Sequence, residues 1–423
     1  MRLLWLCNLV PGAIRQAVDG KIGSGLWMDH VLSDLRQDPS LEICVLCRAD
    51  REEAGAVDSK LRYLLFPEPQ PHVYYPALET LFAQQVHSFQ PDVIHIWGTE
   101  YGHTLSLLRV CQAQGLLDCT AVSIQGLCGI YARHYAEGVP YSVQRSSTLR
   151  DFLRRDNILE QQKKYALRGE LEAQALGLAR HVLGRTHWDL ACTELLAPQA
   201  EYHLCRETLR EPFYEGAWQY AACQKHRIFA PSMEVPLKGF HYLLEAFCQV
   251  LKKYPDATLS VPGSSFLGLT EKQAMRQQTY HAYLAKYVSS HGLEGKITFL
   301  GRLSPEGMKQ AYLSSNVFCL PSTIENSPNS LGEAMLLGVP CVAADVGGVS
   351  SMLENEKEGL IYQSSAPYVL AHNILRIFDE GAAAARFGAA AAARARLTHD
   401  PHANREQLLA IYASLSRNQE GTA

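Results

Sequence analysis

Two carboxylates separated by seven residues flank a stretch of sequence that is suited to binding an anion. The stretch Pro321–Gly338 contains Glu325 ahead of an amphipathic run and Glu333 within that run. A carboxylate accepts hydrogen bonds from hydroxyl groups, so each glutamate is suited to holding a sugar ring. Two such acids around an anion site could hold two sugar rings, one on each side of it. The alternative is that neither acid binds a ligand, and that Glu325 lies in a surface loop and Glu333 on a helix face.

The residues between the two acids predict the start of a helix that points its amide groups at a phosphate. Val317–Pro321 is an apolar strand, Ser327 is a good N-cap and Pro328 suits the first helical position. Gly338 follows the last apolar residue, as is usual where a helix ends. The unpaired amides and the helix dipole then favour a diphosphate. The amides in question belong to Asn329, Ser330 and Leu331.

Lys238, followed by Gly239, is a cation at the start of a predicted helix. The pair opens the helix that follows the strand Arg227–Ala230. A lysine can bind a phosphate and stabilise negative charge electrostatically. The alternative is a solvated lysine at the start of a helix.

The motif Glu325-x7-Glu333, continued by Gly338–Gly348 with the sequence GVPCVAADVGG, resembles glycosyltransferase family 4. The resemblance implies an α/β fold of the GT-B type, in which two Rossmann-like domains with parallel sheets face across a cleft. It implies transfer of a sugar from a nucleotide diphosphate sugar to a hydroxyl acceptor, with retention of configuration and without a required metal. By the same resemblance Glu325 contacts the donor sugar, Glu333 contacts the ribose, and Glu325 and Lys238 form the catalytic pair.

The sequence carries no Asp-x-Asp motif of the kind that holds a metal ion in many sugar transferases. Lys238 and the helix terminus therefore have to take the place of the cation. We expect no metal site and no cofactor beyond the nucleotide sugar itself.

The sequence departs from the family at Met233, where most relatives place an arginine. The form Pro236-Leu237-Lys238-Gly239 resembles a subgroup of bacterial surface-polysaccharide glycosyltransferases. This implies a role in polysaccharide or glycolipid assembly. Arg302, which follows the strand Ile297–Gly301, is our candidate for replacing the missing charge in donor binding.

The first half of the chain offers further candidates for the donor and the acceptor. Gly23 and Gly25 lie in a glycine-rich turn after the first strand, resembling the family's donor-binding loop; an ordinary turn is the alternative. Polar residues at or near strand ends are expected to bind the acceptor. A structural role is the alternative for these residues, which are His95, Glu100, Gln125 and His134.

Residues 145–168 form a basic amphipathic segment. Seven arginines and lysines alternate with apolar residues there, which suits an anionic membrane surface and a lipid-linked saccharide acceptor. A solvated helix face is the alternative. No run of about 18 apolar residues is present, so no transmembrane helix is expected. The N-terminus is interpreted as a strand rather than a signal peptide, which predicts a cytoplasmic protein. The basic segment predicts that this protein can lie at the inner face of the membrane.

The elements that must position these residues alternate between short β-branched runs and longer amphipathic runs. That alternation is typical of parallel α/β sheets. It predicts an N-terminal acceptor domain over 1–210, a linker over 211–225 and a nucleotide-sugar domain over 226–400. Residues 401–423 are predicted to form a helix that packs back on the first domain. A single helix is predicted over Glu271–His291.

The composition excludes several classes of protein. Of the 423 residues, 47% are hydrophobic and 19% are charged, which suits soluble globular domains and not a disordered chain. A net charge of −4 argues against a general nucleic-acid binder. The twelve cysteines are scattered and predict reduced thiols. Cys44 and Cys47 lie on opposite faces of a predicted strand, so they are not expected to bind a metal together.

Two other functions fit the same motifs. A nucleotide-sugar epimerase on this fold would bind the donor without transferring its sugar. A non-catalytic nucleotide-sugar-binding subunit is the third interpretation, although Lys238, Glu325 and Glu333 argue against it.

Overall fold

Strands and helices alternate through two α/β units in a computed structural model that describes residues 1–20 and 27–417. The first unit comprises Met1–Ile130, Lys164–Arg210 and the stretch from His399 onwards, and the second comprises Tyr131–Lys163 and Glu211–Thr398. Gly23 and Gly25, predicted to bind the donor, lie outside the described residues.

A mostly parallel sheet forms the centre of the first unit. Its order is β3-β4-β2-β1-β5-β6-β7-β8, and only the β3–β4 pair is antiparallel among the described strands. The strands are β1 Arg2–Cys7, β2 Glu42–Ala49, β3 Glu53–Ala56, β4 Leu61–Pro67, β5 Val93–Trp97, β6 Thr120–Ser123, β7 His181–Gly184 and β8 Glu201–Leu204. Helices cover this sheet on both faces, which explains why its central strands are almost entirely apolar.

The helices of the first half of the chain follow these strands in alternation. They are α1 Gly12–Asp19, α2 Trp27–Gln37, α3 Ala77–Phe89, α4 Gly102–Ala113, α5 Cys128–His134, α6 Tyr141–Gln144, α7 Leu149–Arg154, α8 Ile158–Leu176 and α9 His187–Leu196. The start of α9 carries a capping box between Thr186 and Asp189, which satisfies two backbone amides at once.

Side chains alternate between the two faces of the first sheet, so one strand contributes to two cores. Leu4 and Leu6 of β1 pack into one cluster with α3 and α4, whereas Leu3 and Trp5 pack into the other. Cys44 belongs to the first cluster and Cys47 to the second, as expected from their spacing. Burial raises the pKa of Cys44 to about 12, and this thiol is therefore a neutral core residue.

The second unit is built on a parallel sheet of order β11-β10-β9-β12-β13-β14. Its strands are β9 Arg227–Phe229, β10 Thr258–Val261, β11 Ile297–Phe299, β12 Val317–Leu320, β13 Cys341–Asp345 and β14 Leu360–Gln363. The remaining helices are α10 Phe240–Lys253, α11 Glu271–Ala274, α12 Thr279–Ser290, α13 Pro305–Leu313, α14 Asn329–Leu336, α15 Val349–Met352, α16 Pro367–Asp379, α17 Gly381–Thr398 and α18 Pro401–Leu415. The predicted α/β class, with parallel sheets in tandem, is confirmed.

Residues 131–163 belong to the second unit, so the prediction of a continuous first domain over 1–210 is wrong. His241 of α10 has its Nε2 atom 3.0 Å from the Glu137 carbonyl oxygen. The Thr148 hydroxyl donates to the Gln277 carbonyl at 2.7 Å. These are long-range contacts, and local amphipathicity carries no information about which unit will supply the partner.

The predicted linker 211–225 also packs into the second unit. The Trp218 amide donates to the Leu337 carbonyl at 2.7 Å, and the indole nitrogen donates to the Ser315 carbonyl at 2.7 Å. This irregular, aromatic segment therefore packs on the surface of the second unit and is held there by hydrogen bonds.

The helix predicted over Glu271–His291 is two helices, α11 and α12, with a break between them. The break lies where Asp151 accepts a hydrogen bond from the Thr279 amide at 2.6 Å. A carboxylate at the start of α12 satisfies an amide there and favours a new helix N-terminus. The partner comes from residues 131–163, so the local sequence pattern could not reveal it.

Candidate functional site

The loop that joins β12 to α14 is fixed between two glycines. A Cβ atom on Gly239 would lie 1.8 Å from the Pro321 carbonyl oxygen, and one on Gly347 would lie 1.9 Å from the Glu325 carbonyl oxygen. The φ angles of these glycines are 61° and 50°, in the left-handed region that other residues avoid. The Gly348 amide also donates to the Glu325 carbonyl at 3.0 Å. The backbone around Glu325 is therefore held from both sides.

Lys238 and Glu325, the predicted catalytic pair, are in direct contact. The Lys238 Nζ atom donates to Glu325 Oε1 at 2.7 Å, and the Ser322 hydroxyl donates to the same oxygen at 2.7 Å. Glu325 is buried, whereas the Lys238 side chain is 37% exposed. Both bonds end on Oε1, and Oε2 accepts none within residues 1–20 and 27–417. This arrangement leaves one oxygen for a hydroxyl and a cation beside it.

The N-terminus of α14 starts one residue later than predicted. Pro328 is the N-cap, and the Ser327 hydroxyl donates to the Met352 sulfur at 3.6 Å, so the prediction of Ser327 as the cap is wrong. The Leu331 amide donates to the Pro328 carbonyl at 2.9 Å, and its predicted unpaired state is wrong for the same reason. The amides of Asn329 and Ser330 make no hydrogen bond within the described part of the chain. Two amides therefore remain for an anion.

Glu333 lies in the second turn of α14 and is only 2% exposed. Its neighbours in this helix, Leu331, Ala334 and Met335, are buried as well. Burying a carboxylate is costly unless the group is paired or bound. Contact between Glu333 and a ribose stays a prediction.

Met233 and Arg302 follow two different strands of the second sheet, β9 and β11. Met233 is buried, and its Cε atom would lie 3.3 Å from a Cβ atom on Gly263. Arg302 is exposed and follows Gly301 at the end of the edge strand β11. Three strand spacings of ~4.8 Å separate β11 from β12, or about 14 Å. Donor binding by Arg302 stays a prediction.

His134 lies beside the loop that carries Glu325, within the second unit. Its carbonyl accepts from the Thr323 hydroxyl at 3.2 Å, and the Thr323 amide donates to the Leu237 carbonyl at 2.8 Å. The imidazole is partly exposed and has its Nδ1 atom 2.9 Å from Glu137 Oε2. Sequence reasoning placed His134 among acceptor residues of the first domain; the structure brings it to the predicted donor loop.

His95 has the environment of a structural residue. Its Nδ1 atom lies 2.6 Å from the Tyr412 hydroxyl oxygen, and its Nε2 atom lies 2.7 Å from the Ser123 hydroxyl oxygen. Burial lowers the pKa of His95 to about 3, so the ring is neutral. Both nitrogens are engaged, which favours the structural alternative over acceptor binding.

Gln125 lines a cavity of the first unit together with Arg185 and Glu207. Arg185 donates to Gln125 Oε1 at 3.2 Å and to the Ile124 carbonyl at 2.9 Å, and it forms an ion pair with Glu207. Gln125 is therefore held by a buried ion pair and still borders open space. A role in acceptor binding stays a prediction.

Glu100 is part of a buried polar chain that sequence reasoning missed. Asn8 donates to Glu100 Oε2 at 2.8 Å; His103 Nε2 lies 2.9 Å from Asn8 Oδ1, and His103 Nδ1 lies 2.9 Å from Glu68 Oε2. Asn8, Glu68 and Glu100 follow the carboxyl ends of β1, β4 and β5. Burial raises the pKa of Glu100. The missed signal was β4, since Glu68 becomes a strand-end residue only once that strand is recognised.

A second buried acid lies close to this chain, on α8. Glu172 Oε1 is 2.6 Å from the Thr99 hydroxyl oxygen, and its Oε2 accepts from the Gly129 amide at 3.1 Å. The same Thr99 hydroxyl lies 3.1 Å from the Gly126 carbonyl oxygen. Burial raises the pKa of Glu172 to about 7. A protonated Glu172 can donate to Thr99 while Thr99 donates to Gly126.

The basic segment 145–168 carries an exposed apolar patch on α7. Leu149 is exposed, as are Phe152 and Leu153, each 72% exposed, and Arg154 and Arg155 are exposed beside them. Arg150, in the same helix, forms ion pairs with Asp151 and Asp156. No helix within residues 1–20 and 27–417 combines the length and apolar character needed to cross a bilayer. The patch is thus a surface feature.

Comparison with known sequences identifies part of the chain. Residues 226–394 match the family described as glycosyl transferases group 1. An uncharacterized glycosyltransferase of Haemophilus influenzae is 32% identical over 129 residues, which cover 30% of this chain and 32% of that protein. The chain thus matches about a third of that relative's length.

Two solved structures share the fold over nearly the whole chain. Sucrose-phosphate synthase from Thermosynechococcus elongatus has a TM-score of 0.73 at 16% identity, covering 98% of this chain and 99% of that one. Anabaena Alr3699/HepE in complex with UDP-glucose has a TM-score of 0.67 at 17% identity, covering 98% and 100%. The predicted GT-B fold is thereby confirmed, and the predicted family resemblance is confirmed over residues 226–394, which are similar to the group 1 glycosyl transferases.

Proposed function

We propose that this protein is a glycosyltransferase that moves a sugar from a nucleoside diphosphate sugar to a hydroxyl acceptor. The observation that carries the proposal is the 2.7 Å hydrogen bond from Lys238 Nζ to Glu325 Oε1, on the loop that leads into α14. It joins a cation and an acid near the amides of Asn329 and Ser330, which make no hydrogen bond within residues 1–20 and 27–417. All four residues lie in the stretch 226–394 that matches the glycosyl transferases.

The donor diphosphate is proposed to bind between Lys238 and the amides of Asn329 and Ser330. The ammonium group and the helix N-terminus both favour negative charge, and together they would stabilise the nucleoside diphosphate as it leaves. This is the basis of our proposal that transfer needs no metal ion. The Lys238 side chain is 37% exposed, so a bound ligand could reach its ammonium group.

The two acids are proposed to hold the sugars on either side of the diphosphate. Glu325 Oε2 would accept from a hydroxyl of the transferred hexose, while Oε1 keeps its bonds to Lys238 and Ser322. Glu333 would accept from the ribose hydroxyls. A solved Anabaena protein of this fold holds UDP-glucose. UDP-glucose is therefore the first donor to test.

We propose that the reaction retains the anomeric configuration by substitution on one face of the sugar. The bond from the anomeric carbon to the phosphate oxygen breaks, and the acceptor oxygen forms a bond to the same carbon. The acceptor's proton passes to the departing phosphate oxygen. Such a step needs no protein base, and the protein's contribution is to position the reactants and stabilise charge.

For the acceptor, we propose a saccharide or lipid-linked saccharide bound at the carboxyl ends of the first sheet. The chain of Glu68, His103, Asn8 and Glu100 places hydrogen-bonding groups at those strand ends. Ligands of parallel α/β sheets bind at that end. A role in polysaccharide or glycolipid assembly follows from such an acceptor.

We further propose that α7 docks on the anionic inner face of the membrane, which places the protein in the cytoplasm. Phe152 and Leu153 would enter the interface between headgroups and acyl chains, and Arg154 and Arg155 would meet anionic headgroups. Asp151 does not oppose this, because it is buried and receives the Thr279 amide at 2.6 Å.

The donor is tested with a thermal-shift panel of UDP-, GDP- and ADP-sugars on the full chain. The donor that raises the melting temperature is then incubated with EDTA, with and without saccharide acceptors. We expect transfer in EDTA and a product with the donor's anomeric configuration by NMR. An epimerised sugar formed without acceptor supports an epimerase. A donor-induced shift without transfer to any acceptor supports the non-catalytic nucleotide-sugar-binding subunit, and no shift with any donor contradicts the proposal. An inverted product or a strict metal requirement contradicts our mechanism.

Membrane docking is tested by co-sedimentation with vesicles of phosphatidylglycerol or phosphatidylcholine. We expect binding to the anionic vesicles only, and its loss in the double variant Phe152→Ser, Leu153→Ser. The control is Leu195→Ser on α9, since Leu195 is also highly exposed, at 84%, and lies outside the basic segment. Equal binding by the α7 variant and the control contradicts the proposal.

A further inference from the structure

Two histidines and a glutamate meet at the edge of the first sheet, outside every site described above. His181 begins β7, and Glu201 and His203 lie on β8, the last strand in the sheet order. His181 is the register partner of Glu201, and His203 is two residues further along β8. Residues that are paired across strands or two apart share a face, so all three side chains project from the same face.

The ligand-capable atoms of the three side chains converge. His181 Nδ1 lies 3.1 Å from His203 Nε2 and 3.6 Å from Glu201 Oε2, and His203 Nε2 lies 4.0 Å from the same oxygen. Two ligands that each lie ~2.05 Å from a tetrahedral zinc ion are about 3.3 Å apart. The two nitrogens already have nearly that separation, and a small movement of Glu201 would complete the triangle.

Burial suits a site that is held on one side and open on the other. The side chains of His181 and His203 are 16% and 14% exposed, whereas that of Glu201 is 69% exposed. The imidazoles are thus fixed by packing, and the carboxylate is free to adjust at the rim. Among the described residues, no other group of three such side chains brings its ligand atoms this close together.

We propose that His181, His203 and Glu201 bind one zinc ion, with a water molecule as the fourth ligand. Imidazole nitrogens and a carboxylate oxygen are usual zinc ligands, and this donor set is poor for magnesium or calcium, which prefer oxygen. The ion would join the edge strand β8 to β7 and stabilise the first unit. It lies outside the proposed transfer chemistry, which uses no metal.

The test is calorimetric titration of zinc chloride into the full chain after removal of metals with EDTA and dialysis. We expect one zinc ion per chain. The variants His203→Gln and Glu201→Gln should each weaken binding by 10-fold or more, about 1.4 kcal/mol per factor of ten. Zinc in 100-fold excess over its dissociation constant should raise the melting temperature of the wild-type chain by roughly 5 °C.

The matched control is His402→Ala. His402 Nδ1 lies 3.5 Å from Glu406 on α18, so it is a surface histidine with a carboxylate but without a second imidazole. This variant should bind zinc like the wild type. Glu201 is exposed, so Glu201→Gln keeps the test valid if His203→Gln fails to fold. Transfer activity without zinc should be equal in all variants, so the test does not depend on the proposed function.

Cobalt(II) identifies the ligands by its spectrum. We expect the visible bands of a four-coordinate site with nitrogen and oxygen ligands and no thiolate charge-transfer band. A thiolate band would assign the metal to one of the chain's twelve cysteines and overturn the proposal. So would unaltered zinc binding by both His203→Gln and Glu201→Gln, or the absence of stoichiometric binding by the wild type, which leaves a simple hydrogen bond between the imidazoles.

Discussion

At the scale of single residues, we expect the loss of the Lys238 side chain to lower kcat directly. In Lys238→Ala the charge that is proposed to stabilise the leaving diphosphate is removed, together with the bond to Glu325. We expect kcat to fall by about 100- to 1,000-fold, as for other groups that stabilise charge in a transition state. Steady-state kinetics measure this, with Lys252→Ala, on the exposed end of α10, as the control. Wild-type kcat in Lys238→Ala would contradict the proposed role.

Glu333 should affect binding more than turnover. Glu333→Ala removes a buried acid that is proposed to hold the ribose, an interaction that is equally strong before and during the reaction. Loss of such an interaction raises KM and leaves kcat nearly unchanged. We expect the affinity for the nucleotide alone to fall by about 10-fold or more, which corresponds to ~1.4 kcal/mol. Titration with nucleoside diphosphate measures it; unchanged affinity would refute the ribose contact.

Glu172 gives the stability of the protein a dependence on pH. Its pKa is about 7 in the folded chain against 4.5 for an ordinary glutamate, so folding favours its protonated form. Stability from this group is therefore complete below pH 4.5 and is lost as the pH rises through 7. Between pH 5 and pH 8 the loss amounts to about 2–3 kcal/mol at ~1.4 kcal/mol per pKa unit.

Glu172→Gln should remove that dependence, because glutamine imitates the protonated acid and can still donate to Thr99 and accept from Gly129. Unfolding of both proteins at pH 5 and pH 8 tests the prediction. The control is Glu170→Gln, an exposed residue on the same helix. If the wild type and Glu172→Gln lose the same stability over this range, Glu172 is ionised in the folded protein.

At the scale of elements, the loop between β12 and α14 depends on glycines that lie far from it in sequence. In Gly347→Ala the new methyl group would lie 1.9 Å from the Glu325 carbonyl oxygen and would clash with it. Gly292 has a similar φ of 66° and open space around it, so Gly292→Ala carries the conformational strain without the clash. We expect Gly292→Ala to cost about 1 kcal/mol and Gly347→Ala clearly more, with loss of donor binding. Equal stability of the two variants would show that the loop around Glu325 can move to accommodate the methyl group at little cost.

How far the sequence predicts an element depends on whether its signal is local. The strand β12, the helix α14 and Gly338 after it are predicted because apolar periodicity and a glycine stop occur together. The N-cap is mispredicted at Ser327 because the same sequence pattern is compatible with a helix that starts at either of two neighbouring residues. The backbone conformation of the preceding loop decides between them. Lys238 and Glu325 are assigned to one site by family resemblance; their contact spans 87 positions, which no local pattern encodes.

The polar chain from Glu68 to Glu100, in contrast, has no local sequence signal. Each of its residues is unremarkable in its own stretch of sequence, and only the parallel order of β4, β2, β1 and β5 brings their strand ends together. The contacts of His95 could not be predicted for a related reason: its partner Tyr412 lies 317 positions away. Sequence reasoning finds polar strand ends, but it does not show which of them are already satisfied.

At the scale of the whole molecule, the first unit needs the segment that follows the second. Leu408, Ile411, Tyr412 and Leu415 of α18 are buried in the core beside Trp5, and His399 Nδ1 lies 2.7 Å from the Glu207 carbonyl oxygen. Truncation after Thr398 should therefore expose that core. We expect hydrogen exchange to speed up in β1 and β5 and to stay slow in β12 and β13.

Adding a peptide of residues 399–417 in excess should restore protection in the truncated chain, because the packing surface for α18 is still present. Protection that returns in β1 and β5 alone identifies α18 as the missing part of that unit. Equal loss of protection in both units, without recovery, would contradict the assignment of this segment.

The interleaved order of the chain also sets an order of events during synthesis. Residues 131–163 emerge before the rest of the second unit exists, and the residues from His399 onwards emerge only after all of it has been made. Domains generally fold as units while the chain is still growing. Here the first unit begins to emerge first, but its core is complete only when the last segment of the chain has been made. One apolar face of its sheet therefore stays exposed in the nascent chain until after the second unit has been synthesised. Any chaperone that acts on the growing chain would find its binding surface there, along Leu3, Trp5 and their partners in the same core.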